Sequence, residues 1–176
     1  DANFRTYLSS IYKNEIKENS KIVDLMSSWD SYLPPSRKYK KVIGHGLNQD
    51  ELKKNKILNS FWIQNFNSNQ KIPLDSSSVD YCLMVAAWQY LQYPESLTRE
   101  IARVLDDYGK IIISFSNRAF WHKAPNIWIS STEEERLKYV RKVLISNGFK
   151  EPRIIKKFNE QCLNFLPFFK NDPFYC

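Results

Sequence analysis

Short apolar runs alternate with segments of helical period along most of this chain, and few folds can accommodate that alternation. Lys21-Ile22-Val23-Asp24-Leu25, Lys41-Val42-Ile43-Gly44 and residues 60–65, 79–85 and 110–115 read as strands. The run at 79–85 is nearly continuous in apolar residues, the mark of a central strand buried on both faces. Before and between them lie helices. Phe4, Tyr7, Leu8, Ile11, Tyr12 and Ile16 share one helical face. Asn48-Gln49-Asp50-Glu51 opens a second helix with a side-chain cap and an acidic first turn. Pro94 starts a third, with Leu97, Ile101, Val104 and Leu105 on its inner face. Thr132-Glu133-Glu134-Glu135 is a capping box for a fourth, which ends at Asn147-Gly148. Residues 27–33 are expected to form one or two helical turns, stopped by Pro34-Pro35, and residues 67–78 are rich in turn formers. Gly109 is expected to break the chain before the fifth strand, and further strands are expected near 153–158 and in 162–169. Such a pattern calls for a mostly parallel sheet with helices on both faces.

With 176 residues there is room for one domain: an N-terminal helix (1–19), a core (20–150) and C-terminal strands (151–176). The net charge of +7 is spread among acidic residues, apart from the run Arg37-Lys38-Tyr39-Lys40-Lys41. Nucleic acid is therefore a weakly supported partner and a small-molecule substrate the favoured one, with the chain a monomer or homodimer. Cys82, Cys162 and Cys176 lie far apart, and His45 and His122 are the only histidines, so no metal site is expected. Cys82, inside the central strand, is expected to be a buried free thiol, which fits a reducing, cytoplasmic setting. There is no signal peptide or long apolar stretch to suggest a membrane, and the first residue is not Met, so the native N-terminus is expected upstream.

In an open parallel sheet, ligands sit beyond the carboxyl ends of the strands, where the strand order reverses. The residues that follow each strand are therefore the candidate site. Several segments there resemble a known family. Ile22-Val23-Asp24-Leu25, then Ile72-Pro73-Leu74-Asp75-Ser76-Ser77-Ser78-Val79-Asp80, then Glu100-Ile101-Ala102-Arg103-Val104-Leu105 and Asp107-Tyr108-Gly109-Lys110 are similar, in order and spacing, to class I S-adenosylmethionine-dependent methyltransferases of the type 11 group. The resemblance spans about residues 20–150. It is closest to an uncharacterised subgroup with a D-L-x-S-S-W loop, here Asp24 to Trp29, and an S-F-S-N-R string, here Ser114 to Arg118.

The resemblance implies a Rossmann-like three-layer α/β sandwich with a seven-stranded sheet whose last strand begins near Phe174 and is cut short. It implies S-adenosyl-L-methionine lying against Asp24, Met26, Ser27, Ser28, Gly44, Gly46, Asn48, Asn65, Phe66 and Ala86. Trp29, Trp88, Ser116, Asn117 and Arg118 are then positioned for the methyl acceptor, with Trp121 and Trp128 as further wall candidates. His122 and Tyr90 are the candidate bases, needed only where the acceptor must lose a proton.

The chain departs from the family in three places, one of them Asn65, which stands after the third strand where an acid usually meets the adenine amino group and whose amide oxygen can still accept that bond. Ser27 and Ser28 stand where glycines are usual after the first strand. The acid that usually takes the ribose hydroxyls at the end of the second strand is missing, so His45 or Asn48 is expected to substitute. These departures favour one alternative, a catalytically inactive, methyltransferase-like binding protein; an RNA methyltransferase is a separate alternative. A nicotinamide-dependent oxidoreductase is disfavoured because no G-x-G-x-x-G turn is present. Asp172-Pro173-Phe174-Tyr175 looks like the D-P-P-[YFW] motif of amino-methylating DNA enzymes, but it lies in the wrong part of the chain and is read as coincidence.

Overall fold

The computed structural model describes residues 2–116, 119–157 and 174–175. The side chains of residues 2, 3, 116, 121, 157, 174 and 175 are outside the description. The elements run α1 (Ala2–Glu15), β1 (Lys21–Leu25), β2 (Lys41–Gly46), α2 (Gln49–Lys54), β3 (Ser60–Ile63), β4 (Val79–Val85), α3 (Pro94–Val104) and β5 (Leu105–Ser116). They continue with α4 (Asn126–Ile129), α5 (Glu133–Ser146), β6 (Lys156–Lys157) and β7 (Phe174–Tyr175). Five strands are parallel, in the order β3-β2-β1-β4-β5. Beyond β5, the two-residue segments β7 and β6 pair antiparallel.

Each of the central strands is apolar on both faces because each face carries helices. Val23 and Leu25 of β1 and Cys82 and Met84 of β4 pack with Leu97, Ile101 and Val104 of α3 and with Leu137, Val140 and Leu144 of α5. Ile22, Tyr81 and Leu83 point the other way, onto Leu8, Ile11, Tyr12 and Ile16. Each fully buried side chain of this kind contributes about 1.5–3 kcal/mol. Cys82 is fully buried and free, and burial raises its thiol pKa well above the ordinary value, so it packs as a hydrophobe.

Two details differ from the sequence expectation. Residues 27–33 are not helical: Met26 and Tyr32 have positive φ (55° and 57°), and the Asp30 carboxylate accepts from the Tyr32 amide at 2.7 Å. Side-chain bonds made by Ser27 and Ser31 replace the helix ladder there. Nor does Gly109 separate α3 from the strand. β5 starts at Leu105 opposite Val79, and the register then shifts so that Tyr81 faces Lys110, leaving residues 106–109 as a bulge. A Cβ at Gly109 would come within 2.9 Å of Leu105 Cδ2 and 3.0 Å of the Asp106 carbonyl, so the bulge folds back on itself too tightly for a side chain. Thr132 and Glu135 form the expected capping box, and Gly148 ends α5 at φ 94°. The expected strand in 162–169 lies outside the described residues.

The segment before β4 is held by α3. Arg103 donates to the Leu74 carbonyl at 2.9 Å, the Ile72 carbonyl at 2.8 Å and Glu100, while Glu100 Oε2 accepts from the Ile72 amide at 2.9 Å. A planar guanidinium satisfies these acceptors together and an ammonium does not. Arg103→Lys is expected to cost about 1–2 kcal/mol. Hydrogen exchange at the Ile72 amide should quicken while the β4 amides stay protected; equal protection in both proteins would show that the clamp carries no energy.

Candidate functional site

The strand order reverses between β1 and β4, and the place beyond the carboxyl ends of these two strands is where an open α/β sheet takes a ligand. Two non-glycine residues with left-handed backbone flank it: Met26 (φ 55°), directly after β1, and Ala86 (φ 50°), directly after β4. A left-handed conformation costs such residues about 1–2 kcal/mol and persists only where the surroundings fix it. At Ala86 the amide donates to the Ser114 carbonyl at 2.7 Å, and its methyl faces outward. At Met26 the amide donates to His45 Nδ1 at 3.1 Å.

Asp24, at the end of β1, is 2% exposed. Its carboxylate accepts from Ser27 Oγ at 2.5 Å and also from Ser31. Burial raises its pKa to about 7, with the two hydroxyls pulling the other way. Ser28 turns outward and donates to Glu51 Oε2 at 2.5 Å. Asn55 ties the far side of this loop, donating to the Ser28 carbonyl at 3.0 Å and Ser31 Oγ at 2.9 Å. The serines that replace glycines are therefore structural parts: one braces Asp24, the other reaches α2.

His45, proposed from the sequence as one stand-in for the missing acid, does not have that role. Its Nδ1 accepts from the Met26 amide, so Nε2 carries the proton and donates to the Gln64 carbonyl at 2.8 Å. Both nitrogens are committed to backbone, and the ring is 1% exposed, 3.9 Å from the Phe66 ring centroid and 4.9 Å from that of Trp62. Burial pushes its pKa down to about 4. Asn48 is exposed and caps α2: its Oδ1 accepts from the Asp50 and Glu51 amides, and its Nδ2 donates to Glu51 Oε1 at 3.2 Å.

The remaining candidates divide between the surface and the core. Asn65 is exposed after β3; its Oδ1 accepts from the Asn67 amide at 2.9 Å, making a turn. Gly46 ends β2 directly under the β1 loop, where a Cβ would sit 2.7 Å from the Ser27 carbonyl oxygen. Gly44 packs against Leu58, while Phe66 (3% exposed) and Trp88 (2% exposed) are part of the core. As packed, these two rings are spent on burial and offer no face to a ligand. Trp128 is likewise buried, edge-on to Phe115 at 5.1 Å. Trp29 is 60% exposed on the β1 loop. Ser116 ends β5, its side chain outside the description with that of Trp121; Asn117 and Arg118 lie outside the described residues.

Tyr90 and His122 are brought to one place by Phe120. Tyr90 stacks on Phe120 at 6.3 Å and its hydroxyl oxygen accepts from the Phe120 amide at 3.1 Å; His122 lies 6.2 Å from the same ring, with Lys123 Nζ 5.4 Å from its centre. The Tyr90 oxygen thus already holds a proton donor, which leaves His122, exposed, as the freer base of the two. Asn67 links this side to the β3 loop by donating to the Tyr90 carbonyl at 3.0 Å and accepting from the Gln92 amide at 2.9 Å. Asn67, Asn55, Gln64, Ser31 and Glu51 were not singled out by sequence. Isolated amides and acids in polar loops carry no periodicity; the cap at Asn48 marked the start of α2 but not the direction of Glu51.

The Methyltransferase domain family model matches residues 31–113, a little under half of the chain. No curated protein matches the sequence significantly. Among solved structures, the chain is similar to one from the complex of the Haloferax volcanii Trm112 methyltransferase activator with a chain described as a methyltransferase (15% identity, TM-score 0.66, covering 98% of this chain and 87% of that one). It is also similar to an S-adenosylmethionine-dependent methyltransferase from Aquifex aeolicus (18% identity, TM-score 0.64, 99% and 96% covered). A third neighbour is the [4+2]-cyclase SpnF (12% identity, TM-score 0.65), of which this chain covers 85% of itself but spans only 60%. At these identities the neighbours share the fold, and the cyclase shows that the fold hosts more than one chemistry. Residues 31–113 thus carry a likeness to a methyltransferase domain, and the chain shares the Rossmann-like fold of these solved neighbours.

Proposed function

We propose that the chain is an S-adenosylmethionine-dependent methyltransferase acting on a small-molecule acceptor in the cytoplasm. The observation that carries this reading is the reversal of strand order between β1 and β4, with left-handed backbone at Met26 and Ala86 directly after these two strands and Asn48 and Asn65 exposed after β2 and β3. The donor set fits the cofactor. The Asn65 amide suits an adenine edge, and the exposed Ala86 is small enough for close approach. The cofactor, when bound, supplies an activated methyl group on a sulfonium.

The protein's part is then chiefly to orient. In-line transfer to an acceptor needs alignment and exclusion of water more than it needs an acid, and holding the reactants in a near-attack geometry lowers the barrier by several kcal/mol, up to about 10. His122 takes a proton where the acceptor carries one, while Trp29 and Phe120, both exposed, form the apolar rim of the acceptor side. The strings from Asp24 to Trp29 and from Ser114 to Arg118 mark the subgroup in this reading, and β7 is the beginning of its last strand.

One observation favours a second reading, a non-catalytic binder of the same fold. The Met26 and Ser27 amides are both spent on His45, to its Nδ1 and its carbonyl respectively, so they are not donors for a ligand carboxylate. Calorimetry with S-adenosylmethionine and S-adenosylhomocysteine separates the two. Micromolar binding of both, followed by release of S-adenosylhomocysteine from S-adenosylmethionine with an acceptor library, is expected. A folded protein that binds neither would remove the enzymatic reading.

A further inference from the structure

The end of the sheet opposite the candidate site gathers positive charge that the sequence shows only in part. Along the chain, the run Arg37-Lys38-Tyr39-Lys40-Lys41 stands alone. In the fold a second segment lies beside it. The Asn19 amide donates to the Lys38 carbonyl at 2.9 Å and the Lys40 amide to the Ser20 carbonyl at 2.9 Å, while Lys21 of β1 stands in register with Lys41 of β2. The Arg37 guanidinium ties the two segments by donating to the Ile16 carbonyl. Lys17 and Lys21 thereby join Lys38, Lys40 and Lys41 at the amino ends of β1 and β2. Lys21 is half-buried and the other four are exposed, and none of the five makes an ion pair among the described residues. The acids close in sequence or register give little relief. Glu15 is paired with Lys110 and Arg153, and Asp80 accepts from the Lys21 amide at 2.6 Å, which leaves Glu18. Like charges on neighbouring strands repel, so the fold carries a destabilising cluster that a bound anion would relieve.

We propose that this strip is a binding surface for the phosphate backbone of a single-stranded nucleic acid, separate from the site at the strand tips. It does not depend on the cofactor reading: β1 is five residues long and sets the strip about 16 Å from those tips. Lysines meet phosphates as point charges, and each phosphate they neutralise releases condensed counterions, which supplies the affinity. Tyr39 stands in the middle of the run. It is half-buried, and its hydroxyl donates to the Pro34 carbonyl at 3.2 Å, which fixes the ring while part of it stays open to solvent. An aromatic ring among cations offers a stacking platform to an unpaired base, and a duplex keeps its bases out of reach of such a ring. An anionic membrane is a poorer match. Interfacial binding buries apolar side chains at the acyl boundary, and none of the exposed large apolar residues lies within 13–21 or 36–41.

The test is fluorescence anisotropy of a short labelled oligouridylate titrated with the intact chain at several salt concentrations. For wild type, log Kd is expected to rise with log salt at a slope of about 3.5, roughly 0.7 for each of five phosphates. The triple variant Lys38→Gln, Lys40→Gln, Lys41→Gln should lose at least about tenfold in affinity at low salt and lower the slope by about 2. Tyr39→Leu should weaken binding severalfold and leave the slope unchanged. A second triple, Lys138→Gln, Lys142→Gln, Lys150→Gln, removes the same charge from α5 and the loop after it, on the other face of the sheet, and should bind as wild type does. Equal losses in the two triples would reduce the effect to net charge and overturn the proposal. So would a wild-type slope below about 1, a result that needs no variant to fold. Binding to phosphatidylserine vesicles without binding to the oligouridylate would assign the strip to a membrane instead.

Discussion

Asp24→Asn is expected to gain stability relative to wild type as the pH is raised, by about 1.4 kcal/mol per pH unit and roughly 4 kcal/mol in all. The window is set by the acid's ordinary value of 3.8 in the unfolded chain and its value of about 7 in the fold. Between those limits the folded protein holds a proton on Asp24 that the unfolded chain has released. Rising pH therefore favours unfolding, and the contribution of Asp24, complete below pH 3.8, is gone above pH 7. Asparagine keeps an oxygen for Ser27 and never ionises, so it escapes that loss. His45 acts in the opposite sense. Its pKa falls from 6.5 to about 4 on folding, so its contribution is full above pH 6.5 and is lost as the pH falls towards 4. In wild type the two groups offset each other between pH 4 and 6.5. The asparagine variant should expose the histidine's slope, and denaturant melts of both proteins from pH 4 to 8 would show it. Parallel stability curves would mean that Asp24 is ionised in the fold and paired with something better than two hydroxyls.

Gly46→Ala is expected to destabilise the fold by about 2–3 kcal/mol, well beyond the same change at Gly44, about 1 kcal/mol. Both Cβ positions are crowded, but by different neighbours. At Gly44 the obstacle is Leu58 Cδ1, the end of a side chain that can swing aside. At Gly46 it is the Ser27 carbonyl oxygen at 2.7 Å, on a loop fixed by the Ser27 amide bond to the His45 carbonyl and by the Ser27 hydroxyl bond to Asp24. For the alanine methyl to fit, at least one of those bonds has to lengthen. Urea unfolding of the two variants side by side measures the difference; equal losses would show that the β1 loop is looser than its bonds imply.

Much of the architecture was legible because it depends on local patterns. Helical spacing in α1, the proline at the start of α3, the Thr132 capping box and the apolar run of β4 each report on a few neighbouring residues, and each was found where expected. Residues 27–33 were misread because Ser27 and Ser31 find their partners in Asp24 and Asn55, and Asn55 lies 24 residues from Ser31. The chain break expected at Gly109 failed for a similar reason: the strand partner at Val79 fixes where β5 begins.

The site divides along the same line. Sequence by itself determined which residues would gather at the strand tips, since the alternation of strands and helices puts Asp24, Asn48, Asn65 and Ala86 at the ends of successive elements. Only the tertiary structure decided what each one does there. His45 turned from a candidate ligand group into a buried tie, and Glu51 from an ordinary helix-start acid into a bridge between two loops. A hydrogen bond is directional and short, so a side chain's role depends on the few atoms within about 3 Å of it. Those atoms come from strands far apart in the chain and become neighbours only when the sheet is assembled.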